Sequence, residues 1–185
     1  MKSAPNLVLV GPMGAGKSSI GKRLAARLGM AFVDADREVE ERTGASINTI
    51  FECEGESGFR ARESATLADL LEGKGQVIAT GGGAVLDPEN RARMKRHGFV
   101  IHLQVGAERQ LERLARDRSR PLLATEDRDA VLRRLSEQRA PLYADVSDLD
   151  FDTDHMFPPQ ASARLAQLLP QLWDRAGASA PEDPA

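Results

Sequence analysis

Cysteine is nearly absent: Cys53 is the only one in 185 residues. A lone cysteine excludes an internal disulfide and a cysteine-based zinc site. It fits a reducing compartment, and its plain reading is a small inert side chain. No apolar stretch approaches the roughly 18 residues that a membrane-spanning helix needs, and the apolar run at 7–10 is too short for the core of a signal peptide. The expectation is a soluble, cytoplasmic protein with no membrane partner. No run of lysine or arginine is long enough to act as a nucleic-acid arm, and a net charge of −3 with 29% charged residues offers no large field of one sign. A nucleic-acid partner is therefore not expected. Internal repeats are missing as well. Residues 176–185, AGASAPEDPA, hold only small residues, proline and acid, and read as a disordered tail behind a single domain at 1–175.

What the chain does have is alternation. Short apolar or β-branched runs at 7–10, 31–34, 76–80, 99–105 and 149–152 are candidate strands. Between them lie helical patterns: 17–28, with Ile20, Leu24 and Leu28 on one face; 57–71, closed by Gly73; and a helix opened by Asp87-Pro88 and running to about residue 96. Further patterns cover 108–117, 127–143 and 160–173. Strands separated by helices imply an α/β fold with a parallel central sheet. The stretch SRPLLATE, 119–126, follows no clean period and is either a mobile lid or an ordinary surface loop.

The chemistry begins at 11–19, GPMGAGKSS, which fits G-x-x-x-x-G-K-[ST] between a strand and a helix. Glycines there permit a tight turn whose N–H groups point inward, and the following helix adds its positive end, so the loop cradles phosphate. Gly14, Ala15, Gly16, Lys17, Ser18 and Ser19 form the expected ATP-binding set, with Lys17 bridging β- and γ-oxygens and the Ser18 hydroxyl as a ligand of Mg²⁺. The motif specifies phosphate binding and not a reaction. At the end of the second strand, FVDAD carries two carboxylates at the sheet edge where ligands of open α/β sheets bind. Asp34 is expected near the metal through water and Asp36 on an acceptor hydroxyl, although Asp36 could equally be a helix cap. Arg60, in SGFRARES, has Glu63 three residues on as a candidate i, i+3 partner, against the plain alternative of a solvated surface arginine. The three glycines of ATGGGAV suit close approach of main chain to a ligand, or a flexible turn. Arg120 in SRPLL and Arg139 in RAPLY can each fork onto an anion: Arg120 as a lid group meeting the nucleotide phosphates, Arg139 as a fixed clamp on the acceptor.

In that order and at that spacing, GPMGAGKSS, DAD, FR, TGGGAV, RPLL and RAPLY resemble the shikimate kinases from about residue 7 to 153. The resemblance implies a P-loop kinase fold of the nucleoside-monophosphate-kinase type. That fold is a three-layer α/β/α arrangement on a five-stranded parallel sheet of order 2-3-1-4-5, with a mobile lid. It implies transfer of the ATP γ-phosphoryl group to the 3-hydroxyl of shikimate, with Mg²⁺, giving shikimate 3-phosphate and ADP in chorismate biosynthesis, by a monomer. On the matching positions, Lys17, Asp36 and Arg120 are catalytic, Asp36, Arg60, Gly82 and Arg139 bind shikimate, and Phe51, Phe59 and Glu63 complete its pocket. Residues 113–116 should lie near adenine. The stretch DTDHMFPP, 152–159, lacks a basic residue that some members place against the base. Two alternatives stand beside this: a gluconokinase-like or other small-metabolite kinase of the same fold, and a nucleotide-dependent switch that binds without transfer.

Overall fold

The computed structural model describes residues 1–115 and 127–175. The lid candidate at 119–126, with Arg120, and the tail at 176–185 lie outside the described residues. The central strand is β2 (Asn6–Val10), buried at every position. Full burial of a short β-branched and leucine run is what a parallel sheet covered on both faces requires. Leu7 and Leu9 point to one side, where they pack with Ile20 and Leu24 of α1 (Lys17–Leu28) and Leu165 and Leu169 of α7 (Pro158–Leu172). Val8 and Val10 point to the other, against α3 (Ile47–Glu72), α4 (Pro88–His97) and α6 (Arg128–Val146). The period-2 alternation of one pentapeptide thus builds both cores.

The remaining strands of this sheet are β3 (Ala31–Asp34), β4 (Gln76–Ala79), β5 (Gly98–Gln104) and β6 (Leu149–Asp152). All pairings are parallel, with Val8 opposite Ile78 on one side and Val100 on the other, in the order β3-β4-β2-β5-β6. Counted from β2, that is the expected 2-3-1-4-5. The connection from β2 runs to β3 through α1 on one face and that from β4 runs to β5 through α4 on the other, so the switch point lies between the neighbouring strands β2 and β4, and the crevice there is where ligands of this architecture bind.

Three local features depart from expectation. A two-stranded parallel pair, β1 (Lys2–Ala4) with β7 (Trp173–Arg175), was not anticipated. The 160–173 pattern is a helix that ends at Leu172, because Trp173 turns into β7 and donates its indole N–H to Ala4 O at 2.9 Å. Helix α3 starts ten residues before the expected 57, capped by Ser46 Oγ accepting from Thr49 N–H. It is broken at Gly55, whose φ of 70° no helix interior tolerates.

Asn6 locks the entry to β2. Fully buried, it donates its amide to Gly73 O at 2.7 Å and to His97 O at 3.4 Å, and its Oδ1 accepts from Gln76 N–H at 3.1 Å. The ends of α3 and α4 and the start of β4 therefore meet on one side chain. Asn6→Ala leaves three part-buried backbone groups with a lost partner and is expected to cost about 2–4 kcal/mol. Urea unfolding would show this as a lower midpoint at unchanged m-value; an unchanged midpoint would contradict it.

Among the described residues no helix is long and apolar enough to cross a membrane.

Candidate active site

The chain leaves β2 through Gly11, whose φ of 139° and close approach to the carbonyl of Leu103 on β5 exclude a side chain. The loop then ends at Gly16, in left-handed conformation, as the cap of α1. Its carbonyls are held from outside. Gln110 Nε2, on α5 (Ala107–Leu114), donates to Met13 O at 2.8 Å, Arg113 Nη1 to Gly14 O at 2.9 Å, and Thr153 Oγ1 to Ala15 O at 3.2 Å. A trans peptide sets its N–H opposite its C=O, so fixing these carbonyls outward turns the N–H groups of Gly14 and Gly16 to the other side. There the N–H groups at the start of α1 join them. This is an anion cradle made before any anion arrives.

Lys17 Nζ arches over the loop, donating to Gly11 O at 2.7 Å and Pro12 O at 3.0 Å. Next to it Ser18 Oγ donates to Asp34 Oδ2. Among the described residues there is no cluster of three or more His, Cys, Asp or Glu able to enclose a metal ion. A hydroxyl and one carboxylate beside a phosphate cradle nevertheless fit Mg²⁺, which keeps several waters and takes phosphate oxygens as ligands. Asp34 is also the N-cap of α2 (Ala35–Thr43), its Oδ1 accepting from Asp36 and Arg37 N–H. The cap considered for Asp36 therefore belongs to Asp34, and the Asp36 side chain turns elsewhere.

Asp36 faces the glycine turn that follows β4. A Cβ built on Gly81 would collide with Glu63 Oε1 and lie 2.7 Å from Asp36 Oδ1. On Gly83 it would collide with the Arg60 guanidinium, and on Gly82 it would lie 3.4 Å from Arg139 Nη1 and 3.6 Å from Gly11 O. Two carboxylates, two guanidinium groups and the start of the phosphate loop thus surround three consecutive residues. At Gly81 and Gly83 the approach is too close for a side chain, whereas at Gly82 a Cβ would meet only ordinary contacts.

Glu63 lies between these charges. It is 2% exposed and accepts from Arg60 Nη1 at 2.7 Å, the i, i+3 pair expected from the helix; Arg60 also donates to Glu56 Oε1 at 3.1 Å. Burial pushes the Glu63 carboxyl above its ordinary pKa, and Asp36 adds to this, while Arg60 and Arg139 oppose it. The Arg60 guanidinium is held above its usual value: burial works against its charge, but Glu63 and Glu56 outweigh it. Arg139 is 4% exposed and its Nε has no hydrogen-bond partner among the described residues. A buried cation with an unmet donor calls for an anion.

A cleft of about 1000 Å³ brings together residues 14–19, Asp34, Asp36 and Gly82. Arg60 lines instead an adjoining cavity of about 380 Å³ with Glu63 and Gly83. Arg139 lines neither and reaches the cluster through Gly82. Phe59 is buried and Phe51 packs on it with its ring tilted by 35°, centroids 4.9 Å apart, forming a small apolar body beside Arg60. Arg113, expected near adenine, is pinned to Gly14 and Thr153, with Met156 and Phe157 on the same cleft wall. Arg120 lies outside the described residues. Sequence reasoning did not find Gln110 and Thr153, whose contacts with the loop span 97 and 138 residues and leave no local signal. It also overlooked Tyr143, whose O–H donates to Gly82 O at 2.6 Å. Its position one helical turn after Arg139 was a usable signal.

Residues 13–170 match the sequence model of a family described as shikimate kinase. A protein of Stenotrophomonas maltophilia (strain R551-3) named "Shikimate kinase" is 54% identical over 175 residues, covering 95% of this chain and 97% of that protein. One of the same name from Xanthomonas oryzae pv. oryzae (strain PXO99A) is 52% identical over 180 residues, covering 97% and 100%. Among solved structures, shikimate kinase from Acinetobacter baumannii in complex with shikimate superposes with a TM-score of 0.88 at 44% identity, covering 91% of this chain and 94% of that one.

Proposed function

The chain belongs to the shikimate kinase family and is an ATP-dependent shikimate kinase; from that premise we propose how its own residues divide the work. The observation that carries the proposal is the meeting of Asp36, Glu63, Arg60 and Arg139 on the Gly81, Gly82, Gly83 turn, one residue contact away from the phosphate loop at Gly11. Shikimate carries one carboxylate and several hydroxyls. Arg60 and Arg139 hold the carboxylate, Gly82 contributes main-chain polar groups, and Asp36 takes a hydrogen bond from the 3-hydroxyl. Residues 14–19 hold the ATP phosphates, and Lys17 stabilises the charge spread over the transferring group. Arg120 is assigned the same task from the lid segment. Ser18 and Asp34 are the groups that would hold Mg²⁺, which when bound neutralises charge between the β- and γ-phosphates.

An alcohol is far too weak an acid for a carboxylate to ionise in the ground state, so Asp36 orients the hydroxyl and receives its proton late, as the oxygen–phosphorus bond forms. Catalysis is then mostly positioning and charge stabilisation in a site that excludes water. A single domain at 1–175 acting as a cytoplasmic monomer, with 176–185 as a tail, completes the proposal.

A coupled assay of ADP release with shikimate, gluconate and nucleoside monophosphates as acceptors tests the acceptor site. Turnover is expected with shikimate alone; turnover only with a nucleoside monophosphate would overturn the assignment, and ATP binding without shikimate-dependent ADP release would indicate a switch. Arg139→Ala separates binding from chemistry. Loss of a charge-assisted fork should raise the KM for shikimate about 10- to 100-fold with kcat changed by less than about threefold. A fall in kcat at unchanged KM would remove Arg139 from the carboxylate.

A further inference from the structure

Tyr143 stands apart from the other core aromatics because its one polar atom sits between two groups of the acceptor site. The residue is 2% exposed, packed on the sheet with Val8, Val10 and Val100. Its O–H donates to Gly82 O at 2.6 Å. Burial raises its phenol pKa to about 12, and the Arg139 guanidinium, one turn earlier on α6, opposes that rise by charge and by hydrogen bonding. The hydroxyl is therefore a neutral donor at any working pH, with the clamp arginine on its other side.

The ring itself is held. It stacks on His102 of β5 at 4.8 Å between centroids and 24° between planes, and His102 Nδ1 lies 3.0 Å from Asp150 Oδ1, which also accepts from Ser147 Oγ at 3.1 Å. The stack on one face and the burial of the ring against the sheet fix where the ring lies, and with it the oxygen at its tip.

We propose that Tyr143 is a positioning residue for the acceptor's carboxylate: a single hydroxyl sets the Gly82–Gly83 peptide plane and the Arg139 guanidinium relative to each other. Donation to Gly82 O turns the N–H of Gly83 to the opposite side of that trans peptide. The same oxygen is close enough to the Arg139 guanidinium to feel its charge and hydrogen bonding, and that guanidinium lies beside Gly82 with its Nε unpartnered among the described residues. Removing it leaves a part-buried carbonyl without its donor and a buried guanidinium with one restraint fewer. The ring, and with it the core packing, stays.

This inference rests on the carboxylate role proposed above for Arg139. The test is Tyr143→Phe in the full chain, measured with ATP and two acceptors, shikimate and its analogue with the carboxylate replaced by a hydroxymethyl group. The expected result is a KM for shikimate raised about 5- to 30-fold, with kcat and the KM for ATP within about twofold, and no such rise for the analogue. Combined with Arg139→Lys, the effects on KM should fall short of multiplying. His102→Phe, which keeps a ring against Tyr143 and leaves the hydroxyl in place, should change the KM for shikimate by less than about twofold. An unchanged KM in Tyr143→Phe, an equal rise for both acceptors, or an equal rise in His102→Phe would overturn the proposal. If Arg139→Ala itself leaves the KM for shikimate unchanged, the parent assignment fails instead.

Discussion

Lys17→Ala is expected to lower kcat about a thousandfold, equivalent to about 4 kcal/mol of transition-state stabilisation, with the KM for shikimate within about threefold of the wild type. The lysine Nζ lies over the phosphate loop, 2.7 Å from Gly11 O and 3.0 Å from Pro12 O, on the side where the proposal places the β- and γ-phosphates. Charge on those oxygens grows as the bond to the leaving group breaks, so the interaction is stronger in the transition state than in the bound ground state. The loss should therefore appear in kcat. Saturating-substrate kinetics decide the matter against Arg139→Ala: the two variants should part, one in kcat and the other in KM. Equal effects on both parameters in both variants would contradict the division of roles.

Asp36→Asn should cost about 10²- to 10³-fold in kcat, the range for loss of a positioned proton acceptor. Asparagine keeps the size and a hydrogen-bonding oxygen but cannot take the proton. The folded state should not suffer. Asp36 Oδ1 and Glu63 Oε1 crowd the same face of Gly81, and their charges repel; Asp36 is one of the groups that raises the Glu63 pKa. Neutralising Asp36 relieves that repulsion, which offsets what the carboxylate gives up elsewhere, so the melting temperature should stay within about 3 °C. The informative result is the pair of measurements. A kcat loss with an undiminished Tm places Asp36 in the chemistry, whereas a kcat loss that follows a fall in Tm makes it a structural carboxylate.

How far the sequence reaches depends on the range of the interactions. The five main strands were legible as short apolar or β-branched runs, buried throughout in β2 and nearly so in β5 though only partly in the edge strands β3 and β6. Their order followed from the resemblance and not from the runs themselves. The helix after Gly16 was legible because its apolar residues recur every four positions. Arg60 with Glu63 was legible for the same reason, both partners lying within one turn. The two aspartates of FVDAD were not separable, since a spacing of two says nothing about which one caps the helix; only the N–H groups of Asp36 and Arg37 converging on Asp34 decide it. Helix α3 was cut short because glycines at 55 and 58 hide its N-terminal piece, and the break at Gly55 is real. The supports of the phosphate loop and the pairing of β1 with β7 come from residues about 100 to 170 positions apart. A three-residue strand has no period to read.

That short pairing has a practical consequence. Lys2 runs beside Trp173 and Ala4 beside Arg175, at the end of the sheet where β2 begins, one strand length removed from the glycine loop where β2 ends. A reporter or solid support joined ahead of Lys2, or directly to Arg175, would stand clear of both substrates. The same proximity invites circular permutation, with Arg175 spliced to Lys2 by a brief linker and new chain ends opened on a surface turn remote from the cleft.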